Sequence, residues 1–173
     1  MKKIELESIL NFSDYKSLIY FNFVFKNKLA KPIFILTLTI CVVSILTPVI
    51  TSSKFGILSY LSSLYLFFIA IFYITLELRM KKFSKESDSL IGKKQRIIIR
   101  NNGIKVSNLI KPKGENYPWN LVNQIYELKK YFYIYINNGV VLVIEKSILS
   151  ENDKKYMCQF FKDKVKENYI KRC

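Results

Sequence analysis

The chain has 173 residues, and its 28 Lys and Arg against 13 Asp and Glu give a formal net charge of +15, yet half of its residues are hydrophobic. It contains no histidine, which removes His-based triads and most zinc sites. Its three cysteines, Cys41, Cys158 and Cys173, show no CxxC spacing and are too few for a disulfide framework, so no metal or cofactor is implied.

Residues 1–31 read as an N-terminal strand and an amphipathic helix. Ile4-Glu5-Leu6-Glu7 alternates with period two, and Ser13-Asp14 resembles a helix cap ahead of an aromatic-rich stretch, Tyr15 to Lys28. Residues 32–76 form two uncharged apolar runs, Pro32–Ser53 and Phe55–Leu76, separated by Lys54 alone. About 20 apolar residues suffice for a helix to cross a ~30 Å hydrocarbon layer, so the pair predicts a transmembrane helical hairpin. Neither run contains Asp, Glu, Lys or Arg, which leaves a proton relay or ion pathway without an ionisable member.

Lys26, Lys28 and Lys31 precede the hairpin and Arg79, Lys81, Lys82 and Lys85 follow it, against Lys54 in the turn. Basic flanks favour the inner side, which places both termini in the cytoplasm and the 52–56 turn outside. The richness in Ile, Lys, Asn and Tyr resembles a low-GC bacterial proteome, and the expected location is a bacterial cytoplasmic membrane. Thr37, Cys41, Ser44 and Pro48 share one face of the first span; Ser59, Ser63 and Ala70 are assigned to one face of the second. The expected seam sets Pro48 near Ser59, Ser44 near Ser63 and Thr37 near Ala70, because small side chains let helices approach closely in lipid.

Residues 77–93 read as a charged linker. From Lys94 to Cys173 the pattern turns to period two. Asn102-Gly103 signals a two-residue hairpin turn that would pair Ile99 with Val106, Ile98 with Ser107 and Arg100 with Lys105. Asn138-Gly139 signals a second, pairing Ile136 with Val141, Tyr135 with Leu142 and Ile134 with Val143. Trp119 is the expected core residue beside Val122 and Ile125. Ser150-Glu-Asn-Asp153 resembles a capping box, opening a closing helix whose apolar face is Met157, Phe160, Phe161, Val165 and Tyr169. The fold class is therefore α+β: a transmembrane hairpin plus a small, mainly antiparallel sheet domain closed by a C-terminal helix.

This order resembles the YcxB-like family of bacterial membrane proteins. The matching residues are Phe12-Ser-Asp-Tyr15, Asn102-Gly103-Ile104, Trp119-Asn-Leu-Val122 leading into Ile125-Tyr126-Glu127, the strand Tyr131–Ile136, and Val143-Ile-Glu-Lys146 followed by Ser150. Glu145 stands where the family usually has a proline. The resemblance implies a pleckstrin-homology-like fold, a binding module rather than an enzyme, and carries no catalytic residues.

The surplus of charge lies in residues 77–173, with 21 basic and 10 acidic side chains. Arg96, Arg100, Lys105, Lys111 and Lys113 are the candidate patch for anionic headgroups, each contributing about 1 kcal/mol if it reaches the surface, or for a protein partner. An ordinary solvated face is the alternative. No nucleic-acid recognition motif accompanies the charge. Glu115, Glu127 and Glu145 lack a paired carboxylate, nucleophile or phosphate loop, so no enzyme is expected. Two readings follow: a non-enzymatic binding or scaffold module at the inner membrane surface, or a self-immunity protein acting on a bacteriocin or toxin through a membrane or protein partner.

Overall fold

The computed structural model describes residues 3–26, 29–86, 90–108 and 112–172. It contains two compact units: a sheet domain, assembled from the chain up to Leu18 and from Leu90 onward, and a helical unit formed by the residues between.

The sheet domain begins with β1 (Ile4–Ile9) and the helix α1 (Phe12–Tyr20). Helix α1 is capped two residues earlier than Ser13-Asp14 implied. Asp14 Oδ2 accepts a hydrogen bond from the Asn11 backbone N–H at 3.0 Å, the backward half of a capping box. After the helical unit come β2 (Lys94–Arg100), β3 (Gly103–Asn108) and β4 (Glu115–Tyr117). Together β1-β2-β3-β4 form one antiparallel sheet, with Ile4 opposite Ile99 and Leu6 opposite Ile97. The N-terminal strand is thus a structural member of the domain that residues 94–173 continue.

The second sheet has the order β7-β6-β5-β8, built from β5 (Val122–Leu128), β6 (Tyr131–Ile136), β7 (Val141–Glu145) and β8 (Tyr169–Arg172). Strand β8 runs parallel to β5, making this sheet mixed. Helix α4 (Glu151–Val165) contributes Met157, Phe160, Phe161 and Val165 to the same core as Ile97, Ile99 and Ile104 of the first sheet and Ile125, Phe132 and Ile134 of the second. Ser150 caps α4 as expected, its side chain accepting from the Asp153 N–H at 3.1 Å. The helix stops at Val165, because Lys166 adopts φ +47°, and Tyr169 lies in β8 rather than on the helical face.

Both hairpin registers differ from the expected ones. In the first, Arg100 faces Gly103, so the turn is Asn101-Asn102; Ile99 pairs with Ile104, Ile98 with Lys105 and Ile97 with Val106. A slip of two residues keeps every side chain on its face. Gly103 serves another purpose: a Cβ there would run into the Tyr117 carbonyl oxygen and Pro118 Cα, so the glycine lets β4 lie against β3. In the second hairpin Tyr135 pairs with Val141 and Ile134 with Leu142, a shift of one. The loop has three residues, Asn137–Gly139, with Ile136 N–H donating to the Val140 carbonyl at 2.9 Å and Gly139 at φ +76°. One left-handed glycine closing a three-residue loop replaces the expected two-residue turn. Glu145 has φ −75°, a value proline also adopts.

The helical unit holds α2 (Ala30–Ile50) and α3 (Ile57–Ser84), about 31 Å and 42 Å long at 1.5 Å per residue. Helix α3 therefore continues through the first half of the expected linker. Only 6% and 11% of their most apolar stretches are buried, so neither is a core helix wrapped by protein. Their hydroxyls are satisfied locally: Thr37, Thr39, Ser44, Thr47 and Thr75 each donate to a carbonyl four residues back.

Candidate functional site

Arg96, Arg100 and Lys105 of the predicted patch lie on the outer face of the first sheet. Ile97 and Ile99 point into the core, so alternation turns Lys94, Arg96 and Arg100 to the other face, which they share with the buried Ile98. Strand β1 brings its own acids to that face. Glu5 forms an ion pair with Arg96 and another with Lys3 at 2.9 Å, and Glu7 pairs with Lys94 at 2.6 Å. Hydrogen bonds from Lys3 and Arg96 hold the Glu5 carboxyl below its ordinary range. Arg96 is thus already engaged by the chain itself. Arg100 and Lys113 are exposed, Lys105 is half-buried beside them, and Lys111 lies outside the described residues.

Trp119 is half-buried at the core's margin. Its indole meets the Phe160 ring edge-on with centroids 5.5 Å apart, approaches Phe161 at 6.0 Å, and donates to the Arg100 carbonyl at 3.0 Å. The ring is held on three sides by its own domain.

In the helical unit, Thr37, Cys41, Ser44 and Pro48 are the half-buried or buried stripe of α2. On α3 the buried serines are Ser59 and Ser62; Ser63 and Ala70 are exposed. The seam pairs Ser44 with Ser59, whose Oγ donates to the Ser44 carbonyl at 2.7 Å, and Ser63 bonds back to the Ser59 carbonyl instead. A three-then-four spacing from Ser59 through Ser62 to Leu66 follows the helical stripe more closely than four-residue steps.

A second concentration of charge lies elsewhere. A cleft of about 730 Å³ opens between the polar face of α4, the end of β5 and β8. Glu127 forms its floor, 6% exposed, and three donors converge on its carboxylate: Lys146 Nζ at 2.8 Å, Tyr169 Oη at 2.5 Å and Cys158 Sγ at 3.3 Å. Burial by itself would raise the Glu127 pKa, but these hydrogen bonds and the Lys146 charge outweigh it and bring the carboxyl below its ordinary value. Burial and the bond to Glu127 drive the Tyr169 phenol upward, and burial raises the Cys158 thiol. Cys158 is therefore a poor nucleophile. Lys146 is anchored by its backbone, which donates to the Lys130 carbonyl at 2.8 Å, and its ammonium sits 4.6 Å from the Phe132 ring centre.

Around this floor stand Lys129 after β5, Lys171 on β8, and Lys154, Lys155 and Lys162 on α4. With Lys146 they make six lysines against Glu127 and Glu151, a local charge of +4. The sequence held partial signals: Glu127 and Lys146 both fall in the family-like motifs, and lysines at 154, 155 and 162 lie on one helical face with Cys158. Periodicity alone could not bring β8 beside β5. Among the described residues no group of His, Cys, Asp and Glu is arranged to hold a metal ion.

Residues 95–161 match the model of the family described as YcxB-like protein. The matched stretch begins in β2 and ends in α4, so it takes in Glu127, Lys146 and Cys158. No curated protein and no solved structure matches the chain.

Proposed function

From a YcxB-like region at residues 95–161, we propose that this chain is a non-enzymatic integral protein of the bacterial cytoplasmic membrane, with the sheet domain acting as a binding or scaffold module on the inner face. The observation that carries it is the pairing of β1 with β2. One strand precedes the apolar hairpin, the other follows it, and six residue pairs join them from Ile4↔Ile99 to Ile9↔Lys94. That pairing supports a hairpin whose two ends leave the same side of a bilayer, as an even number of spans requires. The basic flanks favour the cytoplasmic side for that domain. Two helices of sufficient length, with little of their apolar surface covered by protein, support insertion.

The strand order supports a pleckstrin-homology-like module: an antiparallel sheet of four strands, a second sheet begun by β5 to β7, and a closing helix. Binding rather than catalysis fits the cleft, where the carboxylate is compensated by Lys146 and the thiol is kept protonated. Single-cysteine variants labelled with a membrane-impermeant thiol reagent on intact cells test the topology. Labelling is expected at a cysteine introduced at Ser53 and absent at one introduced at the exposed Lys130 of the sheet domain. Labelling at position 130 with none at position 53 would overturn it.

A further inference from the structure

We propose that the lysine-lined cleft between α4, the end of β5 and β8 binds an anion carrying two or more phosphate groups. This deepens the binding-module reading by naming the site and the ligand class, and it does not depend on which side of a membrane the domain faces.

The charges in the cleft divide into two sets. The inner pair, Lys146 and Glu127, is self-compensated and nearly buried, with side chains 13% and 8% exposed. Lys154 is paired with Glu151 at 2.6 Å. Lys129, Lys155, Lys162 and Lys171 have no acidic side chain within ion-pair distance among the described residues, yet they converge from three separate segments of chain on one concavity. Like charges gathered in this way repel one another, and a concave wall of one sign concentrates counter-ions. The arrangement is therefore better suited to an occupant than to an empty site.

The chemistry of the walls narrows that occupant. Lysine ammonium groups are compact point charges suited to phosphate, whereas the bidentate forks that favour planar carboxylates are missing from the lining. Four cations outside any ion pair match a compact polyanion better than a single orthophosphate. A volume of about 730 Å³ accommodates a small molecule or one headgroup. The one ring in the lining, Tyr169, has its hydroxyl committed to Glu127, so no aromatic platform is offered to a nucleobase. Gln159 adds a neutral hydrogen-bonding group on the same wall. The shared chemistry is a di- or triphosphate, either free in solution or borne on a lipid.

The test uses the full chain, purified in uncharged detergent and titrated with inorganic tripolyphosphate by calorimetry. Saturable binding is expected, weaker for orthophosphate and weakened by salt. The K155Q/K162Q variant should lose roughly 10-fold or more in affinity, about 1.4 kcal/mol, while R100Q/K105Q on the outer sheet face stays near wild type. A second pair, K129Q/K171Q, guards against a local defect in α4. Nanodiscs with and without a lipid bearing a diphosphate headgroup then separate the sources. Competition between that lipid and tripolyphosphate assigns the site to the headgroup, and tripolyphosphate binding undisturbed by the lipid assigns it to a soluble anion. No binding, or an equal loss in R100Q/K105Q and the cleft variants, would overturn the proposal. Either result leaves the cysteine-labelling topology untouched, so the two failures are distinguishable.

Discussion

Replacing Glu127 by glutamine removes a charge but little volume, which makes it a clean probe of the cleft floor. The carboxylate is 6% exposed and accepts from Lys146, Tyr169 and Cys158. Breaking a buried pair at one partner costs about 3–5 kcal/mol, and the glutamine carbonyl can still accept from Tyr169, so the cost of E127Q belongs at about 3 kcal/mol. Lys146→Met leaves the carboxylate with two weaker donors and should cost a similar amount. Because each single change strands the same partner, E127Q/K146M should cost well under the sum, with a coupling of about 2–3 kcal/mol. Urea unfolding of the full chain in detergent, followed by fluorescence of its single tryptophan beside α4, measures all three. The pH dependence gives a second reading. The folded Glu127 pKa is depressed, so its stabilisation is complete above the ordinary glutamate value and is lost as pH falls through the folded one. E127Q should therefore flatten stability loss below about pH 4.5, near the ordinary value. Single changes costing under about 1 kcal/mol each and adding simply would show the pair to be solvated and refute the argument.

Trp119→Ala should destabilise by about 2–3 kcal/mol, less than a fully buried aromatic, because the indole is half-buried on Phe160 and Phe161 and loses one bond to the Arg100 carbonyl; thermal unfolding followed by circular dichroism measures it, and a loss under about 1 kcal/mol would mean the ring contributes no packing. Gly103→Ala should cost about 2–4 kcal/mol, since the new methyl meets backbone atoms of β4, whereas Gly139→Ala, at positive φ but in open space, should cost about 1–2 kcal/mol. Equal costs in the same unfolding assay would show that β4 does not press on β3.

The class of the fold was legible because it rests on long, unambiguous signals. Two uncharged runs become α2 and α3, and alternation after Lys94 becomes strands. Register was less legible, for a local reason. Asn101-Asn102-Gly103 and Asn137-Asn138-Gly139 each offer overlapping turns, and only packing selects among them. In the first hairpin the alternating pattern restricts slips to even steps. In the second, Tyr131–Ile136 is apolar or aromatic on both faces, so a slip of one meets little resistance from the pattern. The end of α4 was hidden because a lysine, not a glycine, takes the positive φ there, and with it went the parallel strand β8. The cleft depends on that strand. Glu127, Lys146, Cys158 and Tyr169 span more than forty positions, and no spacing rule links them before β8 is laid beside β5.

The contribution of β1 bears on both parts of the molecule. Its Ile4 and Leu6 are core residues, so a fragment beginning at Lys94 lacks one strand of its sheet and leaves Ile97 and Ile99 beside an open edge. The domain is therefore discontinuous in sequence, with the apolar hairpin inserted between its first and second strands. Asp14 strengthens the join: it caps α1 through Asn11 and accepts the Tyr131 hydroxyl at 2.9 Å, tying the helix that follows β1 to the second sheet. Both chain segments that enter and leave the hairpin are thus fixed to one body by hydrogen bonds. β1 also brings Glu5 and Glu7 across the outer face, where they compensate Arg96 and Lys94. The strand that joins the two sides of the hairpin insertion is the same one that engages part of the predicted basic patch. With Arg96 and Lys94 engaged there, the lysines of the α4 cleft that stand outside any ion pair form a second electrostatic feature of the sheet domain.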